Sequence, residues 1–177
     1  MTQDLARRAN RSLEKESAAE YSPSTVTMDG LRRIVRALRQ AEAKARVAGV
    51  PSAQLFVLRQ LMNGRDLSIG ELSRATLTSQ SSVSEVVSRL KAKGLVIRSK
   101  ASHDNRRAEI SLTDAGGAML KEAPHPFQER LVTALHRLAR EDQEALAKGM
   151  TAWLRETGIS DTPPTMFFEP DGRSVGS

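Results

Sequence analysis

Between Ser79 and Gly94 the apolar residues Val83, Val86, Val87 and Leu90 recur at i, i+3, i+4 and i+7, which predicts a helix with one buried face. Gln80, Ser81, Ser84 and Ser88 fall on the opposite face, where Glu and Lys would be usual. The same period places a longer helix from Met28 to about Val47, with Leu31, Ile34, Val35, Leu38, Ala41 and Ala45 as its stripe and Gly49 as its stop. A second helix starts at Pro51-Ser52, buries Leu55, Leu58, Leu61 and Met62, and ends at Asn63-Gly64. A short third one opens at Ser68, whose spacing from Glu71 is that of a capping box, and runs to Ala75 or Thr76. Leu77-Thr78 then turns the chain into the Ser79 helix. Two short helices joined so tightly make a helix-turn-helix.

The pattern changes after Gly94, which suits a left-handed helix end with Leu95 as the apolar contact beyond it. Leu95–Ser99 and Ala108–Leu112 read as strands around the polar tip Lys100–Arg107, where Asp104-Asn105 favours a turn. Thr113-Asp114 caps a further helix. Gly116-Gly117 inside it costs about 1 kcal/mol per glycine against alanine, so close backbone packing is expected there. Pro124 and Pro126 interrupt the helix, and Phe127, Leu131, Leu135 and Leu138 carry its stripe onward. A last helix starts near Glu141-Asp142, shows Leu146, Met150, Trp153 and Leu154 on one face, and ends at Gly158. Residues 1–27 read as a polar arm with a break at Ser22-Pro23, and residues 158–177 as a tail rich in Pro, Gly and Ser. The tail holds Phe167-Phe168, two of only six aromatic residues. This pair either docks in a groove of its own or a partner subunit, or belongs to a disordered end.

The expected fold is therefore mainly α with a small β-wing. A winged helix-turn-helix at 51–112 is flanked by outer helices at 28–48 and 113–157. The outer stripes exceed what one winged helix can bury, which implies dimerisation helices. The chain has 177 residues, enough for one ordinary domain, and 3% aromatic content requires an aliphatic core. Without cysteine, disulfides, thiolate zinc sites and thiol redox sensing are excluded. His103, His125 and His136 are scattered and lack the spacing of a metal site, so no metal or cofactor is expected. No apolar run reaches membrane-spanning length and the start shows no signal region, so a cytoplasmic, nucleoid-associated protein is expected.

Charge sharpens the picture. Of a net +6, the stretch Arg65–Arg107 carries +5, from nine bases and four acids. A local excess of this kind suits a polyanion. In that setting, small polar groups on an exposed helix face suit close approach to base edges in a major groove. Serines that cap the helix and otherwise sit in water are the plainer reading of the same residues.

Two motifs go further. Arg89-Leu90-Lys91-Ala92-Lys93-Gly94-Leu95-Val96, and Asp104-Asn105-Arg106-Arg107 followed by Ile110-Ser111-Leu112-Thr113, resemble the end of the recognition helix and the wing of MarR-family transcriptional regulators. The likeness runs from about Met28 to Thr157. It implies a triangular homodimer whose two winged helices straddle a pseudo-palindromic operator on double-stranded DNA. It further implies a repressor released by a small organic ligand. By the same resemblance Gln80, Ser81 and Ser84 enter the major groove, where Gln suits adenine. Ser79 and Ser82 serve the helix start and nearby phosphates. Arg106 reaches the minor groove from the wing tip, with Asp104 holding it extended. Arg107, Arg98, Lys100 and Arg89 are candidate phosphate contacts, or ordinary solvated charges.

Three function classes follow: a sequence-specific regulator, a winged helix serving as a protein-interaction or non-specific architectural DNA-binding module, and an enzyme. The third finds no nucleophile elbow, phosphate loop or metal motif, so no enzyme is expected. Arg106→Ala is expected to weaken duplex binding by at least about 1 kcal/mol and to flatten its salt dependence, measured by titration at several ionic strengths. An unchanged slope and affinity would reject the wing role.

Overall fold

The computed structural model describes residues 22–62, 64, 66–100 and 108–168. The chain divides into two compact units, residues 1–40 and 41–177. The described part of the first is most of helix α1, Pro23–Val47. This helix starts at Pro23 and not at Met28 as its apolar spacing predicts. Ser22 is its cap: the hydroxyl accepts the Thr25 N–H at 3.1 Å and lies 2.8 Å from the Thr25 hydroxyl. Pro23 fills the first helical position, where a missing N–H costs nothing. The dipeptide taken for a break is the start signal itself. Gly49, at φ +83°, closes the far end as expected, with its N–H on the Arg46 carbonyl at 2.9 Å.

The second unit is built around α2, Ser52–Gln60, in which every residue from Ser52 to Leu58 is buried. It packs against α3 (Ile69–Thr76), α4 (Gln80–Ala92), α5 (Asp114–Glu122) and α6 (Phe127–Arg137). Ser52 does not cap this helix with its side chain. Buried Glu42 does so from outside, accepting the Ser52 N–H at 2.9 Å with one oxygen and the Arg46 Nε–H at 2.7 Å with the other. Leu55, Leu58 and Leu61 are fully buried as expected; Met62 is not, since it lies past the helix end and is 38% exposed.

The wing is an antiparallel pair, β1 (Val96–Lys100) and β2 (Ala108–Leu112), in register from Val96 with Leu112 to Lys100 with Ala108. β1 begins one residue later than its hydrophobic run, because Leu95 is used to close α4: its N–H donates to the Leu90 carbonyl at 3.0 Å. Leu67 adds a bridge to Ile110, exchanging both backbone hydrogen bonds at 3.1 and 2.9 Å. This ties the approach to α3 to the wing, and Ile110 beneath it is fully buried.

Thr113 joins the wing to α5. Its hydroxyl accepts the Gly116 N–H at 3.0 Å and donates to the Gly94 carbonyl at 2.8 Å. The close packing expected at the glycine pair falls on Gly116 alone. A Cβ there would sit 2.2 Å from the Leu95 carbonyl oxygen, whereas one at Gly117 would meet nothing nearer than 3.8 Å. The prolines interrupt the helical run at 123–126, between α5 and α6, as expected. Arg59 of α2 holds α6 through Glu129, Nε to Oε2 at 2.7 Å.

Helix α7, Arg140–Glu156, contains no buried residue. Past Gly158 the chain is no simple tail. Met166 is 3% exposed and belongs to the hydrophobic core, while Phe167 is 52% exposed, so the anchor is the methionine beside the aromatic pair and not Phe167. An unbranched thioether fits an irregular gap in an aliphatic core more readily than a ring.

The two glycines of α5 give opposite expectations. Gly116→Ala is expected to lose roughly 1–3 kcal/mol of unfolding free energy, because the new methyl meets backbone that cannot rotate away. Gly117→Ala is expected to be neutral or to gain up to about 1 kcal/mol from helix propensity. Denaturant melts of both variants check this; equal losses would contradict the packing.

Candidate nucleic-acid interface

The interface is assembled from two helix starts and the turn between them. At the first, Ser68 and Glu71 form the expected capping box: the Ser68 hydroxyl accepts the Glu71 N–H at 3.3 Å, and Glu71 Oε2 accepts the Ser68 N–H at 2.9 Å. Helix α3 ends at Leu77, whose φ of +52° places a bulky residue in the left-handed region. Such a residue costs about 1–3 kcal/mol and persists only where its surroundings impose it. Here the Thr78 N–H donates to the Ser73 carbonyl at 3.1 Å and the Ser73 hydroxyl donates to the Thr78 carbonyl.

Ser79 then caps α4. Its Oγ accepts the Ser82 N–H at 3.2 Å and lies 2.9 Å from the hydroxyls of both Ser81 and Ser82. The plainer reading, of serine as a cap, is thus correct for Ser79, while Ser81 and Ser82 are linked to its hydroxyl without capping the helix themselves. Ser88 is likewise engaged with its own helix, donating to the Ser84 carbonyl at 2.8 Å. Val83, Val86 and Leu90 are completely buried and Val87 nearly so. That fixes the roll of the helix and leaves Gln80, Ser81, Ser84 and Ser88 exposed. The first N–H groups of any helix lack intrahelical partners and carry its positive dipole end, so this end favours anions.

The side-chain amide of Gln80 reaches over Gly70 of α3. Gln80 Nε2 lies 3.7 Å, and Arg74 Nη1 3.9 Å, from where a Cβ on Gly70 would be. Arg74 is exposed, so a cation stands beside the glutamine on the same face. Sequence reasoning counted Arg74 in the charge excess without placing it in the site. Its i+4 spacing from Gly70, the residue without a side chain, was the available signal.

The other predicted contacts divide. Arg89 lies along α4 toward Glu85, with Nη2 4.0 Å from Oε2 and a side chain only 31% exposed. Arg98 is exposed on β1, and Lys100 is the last residue of that strand. Asp104, Arg106 and Arg107 lie outside the described residues. The structure therefore gathers Ser79, Gln80, Ser81, Ser82 and Ser84 at the start and outer face of α4, and sets Arg98 and Lys100 on a separate element. Among the described residues, no helix is long and apolar enough to cross a membrane, and no group of three or more His, Asp or Glu side chains could hold a metal ion.

Comparison with known proteins fits this geometry. The MarR family model matches residues 48–107, from just before α2 to the wing. The HTH-type transcriptional repressor MdtR of Bacillus subtilis is 30% identical over 118 residues, covering 67% of this chain and 76% of MdtR. AbsC of Streptomyces coelicolor, a MarR family transcriptional regulator of known structure, is 22% identical with a TM-score of 0.53 over 77% of this chain and 96% of its own, a likeness of fold. BpsR of Bordetella bronchiseptica, whose DNA binding is regulated by 6-hydroxynicotinic acid, shares the fold at 24% identity and a TM-score of 0.50, over 80% of this chain and 96% of its own. A helix-turn-helix with a two-stranded wing, matched in sequence to the family model and to a repressor, makes this chain a member of the MarR family of transcriptional regulators.

Proposed function

We propose that the chain acts in the cytoplasm as a homodimeric, sequence-specific repressor on a pseudo-palindromic DNA operator, and that a small organic ligand releases it. The observation that carries this is the roll of α4. Its four apolar residues are locked inward, so Gln80 and Ser84 face outward, with Arg74 beside Gln80, on a chain segment of net +5. Gln is matched to adenine by two hydrogen bonds and Ser to several bases. Ser79, Ser81 and Ser82 with the helix start suit a phosphate.

The homodimer is supported by the unburied stripe Leu135, Leu138, Leu146, Met150 and Leu154, each 37–45% exposed. Large apolar side chains left uncovered at helical spacing suit an association face. Two copies would set two reading helices about one turn of DNA apart. The repressing sense follows the likeness to MdtR. For the ligand, an open cleft of about 670 Å³ lies between the end of α1 and the end of α5, lined by Val47, Ala48, Met119, Ala123 and Pro124 with Lys44 and Glu122 at its sides. An apolar lining flanked by one charge of each sign suits a small, largely apolar organic ligand.

Selection from a random duplex pool is expected to return an inverted repeat with half-sites about 10 bp apart. Gln80→Ala should relax the preference at one position per half-site. The double substitution Leu146→Glu, Met150→Glu is expected to sediment as a monomer at micromolar concentration and to lose at least about tenfold in operator affinity. A pool that yields no motif would instead point to an architectural role, and a parent chain that sediments as a monomer would remove the dimer.

A further inference from the structure

The segment after α7 has no part in the reading surface described above, yet it returns to it. Met166 shares the core with Phe56, Val83 and Leu120. Ahead of it in the chain, the Pro164 carbonyl lies 3.5 Å from Ser82 Oγ, whose hydroxyl donates to it. Behind it, the Phe167 carbonyl accepts from Gln128 Nε2 at 3.3 Å, and Gln128 is itself 4% exposed. Phe168 sits at φ +61°. The chain is thus laid from the first turn of α4 to the first turn of α6 and pinned between them by one buried side chain.

The position of Pro164 matters because of what it occupies. A carbonyl oxygen at the Ser82 hydroxyl places partial negative charge at the positive end of α4, where a DNA phosphate oxygen would go. A serine hydroxyl has a single proton to donate, so the two oxygens compete for it. Both side-chain hydrogen bonds of the segment are longer than the usual range, and Phe168 adds left-handed strain, so the hold is weak enough for a charged oxygen to displace. Asp161 adds a carboxylate to the same segment.

We propose that Ile159–Phe168 is a strap that covers the start of the recognition helix in the free protein and lifts when a DNA phosphate takes the Ser82 hydroxyl. This rests on the reading of α4 as the DNA-contacting helix. It makes the strap a built-in competitor, lowering affinity for any backbone and leaving sequence preference to Gln80 and Ser84.

Chymotrypsin cleavage of the Phe167–Phe168 bond in the full chain, followed by mass, tests this with and without a generic duplex at low salt, binding being tracked by anisotropy in the same sample. Saturating duplex is expected to speed cleavage several-fold. Slower or unchanged cleavage at saturation overturns the strap and leaves DNA binding standing; no binding to any duplex removes the DNA reading and the strap with it. A chain ending at Gly158 is expected to bind duplex about fivefold more tightly, because no carbonyl competes for the Ser82 hydroxyl. Ser82→Ala should then weaken the shortened chain more than the full one, where it also removes the hydrogen bond that holds the strap. Equal effects of Ser82→Ala in both chains, or weaker binding by a shortened chain of unchanged melting temperature, overturn the proposal. Should the shortened chain melt early, Met166→Ala in the full chain, which loosens the anchor, must speed cleavage in the absence of DNA; an unchanged rate is then the contrary result.

Discussion

The burial of Val83, Val86, Val87 and Leu90 against the core that surrounds α2 is the interaction on which the rest of the molecule turns. Fully burying an aliphatic side chain contributes about 1.5–3 kcal/mol, so these four set the roll of α4 with far more force than any surface contact could. Turning the helix by one residue, about 100°, would withdraw them and push serine into an aliphatic core without partners. The outward direction of Gln80 and Ser84 is therefore a consequence of packing. It needs no specific contact of their own to hold it.

Both ends of α4 are fixed by backbone chemistry that reinforces this roll. At the start, the left-handed Leu77 brings Ser79 to its capping position, and one hydroxyl organises Ser81 and Ser82. At the finish, Gly94 and Leu95 close the helix, and Thr113 and Gly116 lock α5 onto that same closure, with no room for a methyl group at Gly116. The Leu67–Ile110 bridge ties the wing to the approach of α3. Helix α4, the wing and α5 thus meet at Gly94–Leu95.

Much of this was legible in the sequence because it is local. The capping box at Ser68, the cap at Ser79, the stop at Gly94 and the cap at Thr113 each depend on residues within a few positions of one another, and all four form. The apolar stripe of α4 is equally local, and so is its exposed face. What escaped depends on residues far apart in sequence. Glu42 caps α2 across ten positions, and no spacing rule connects an acid in one helix to the N–H of another. Arg74 meets Gln80 above Gly70 only because two separate helices pack there. One methionine in a stretch rich in Pro, Gly and Ser has no periodicity to mark Met166 as an anchor, whereas the neighbouring aromatic pair stands out by composition alone. The start of α1 was misplaced for the opposite reason: Ser22-Pro23 reads as a stop when only the hydrophobic period is followed, although serine before proline is also a helix start.

The central claim is that packing aims the first turn and outer face of α4 at DNA. Hydrogen exchange on the peptide amides of Ser79–Ser84, with and without bound duplex, tests it most directly: the Ser82 and Val83 amides are already held by the Ser79 hydroxyl and carbonyl, whereas the leading Gln80 and Ser81 amides exchange freely until an acceptor is supplied. Strong slowing there, with the amides of the middle of α7 unaffected, is the predicted result. Duplex that binds while Ser79–Ser84 exchange as fast as before would contradict it.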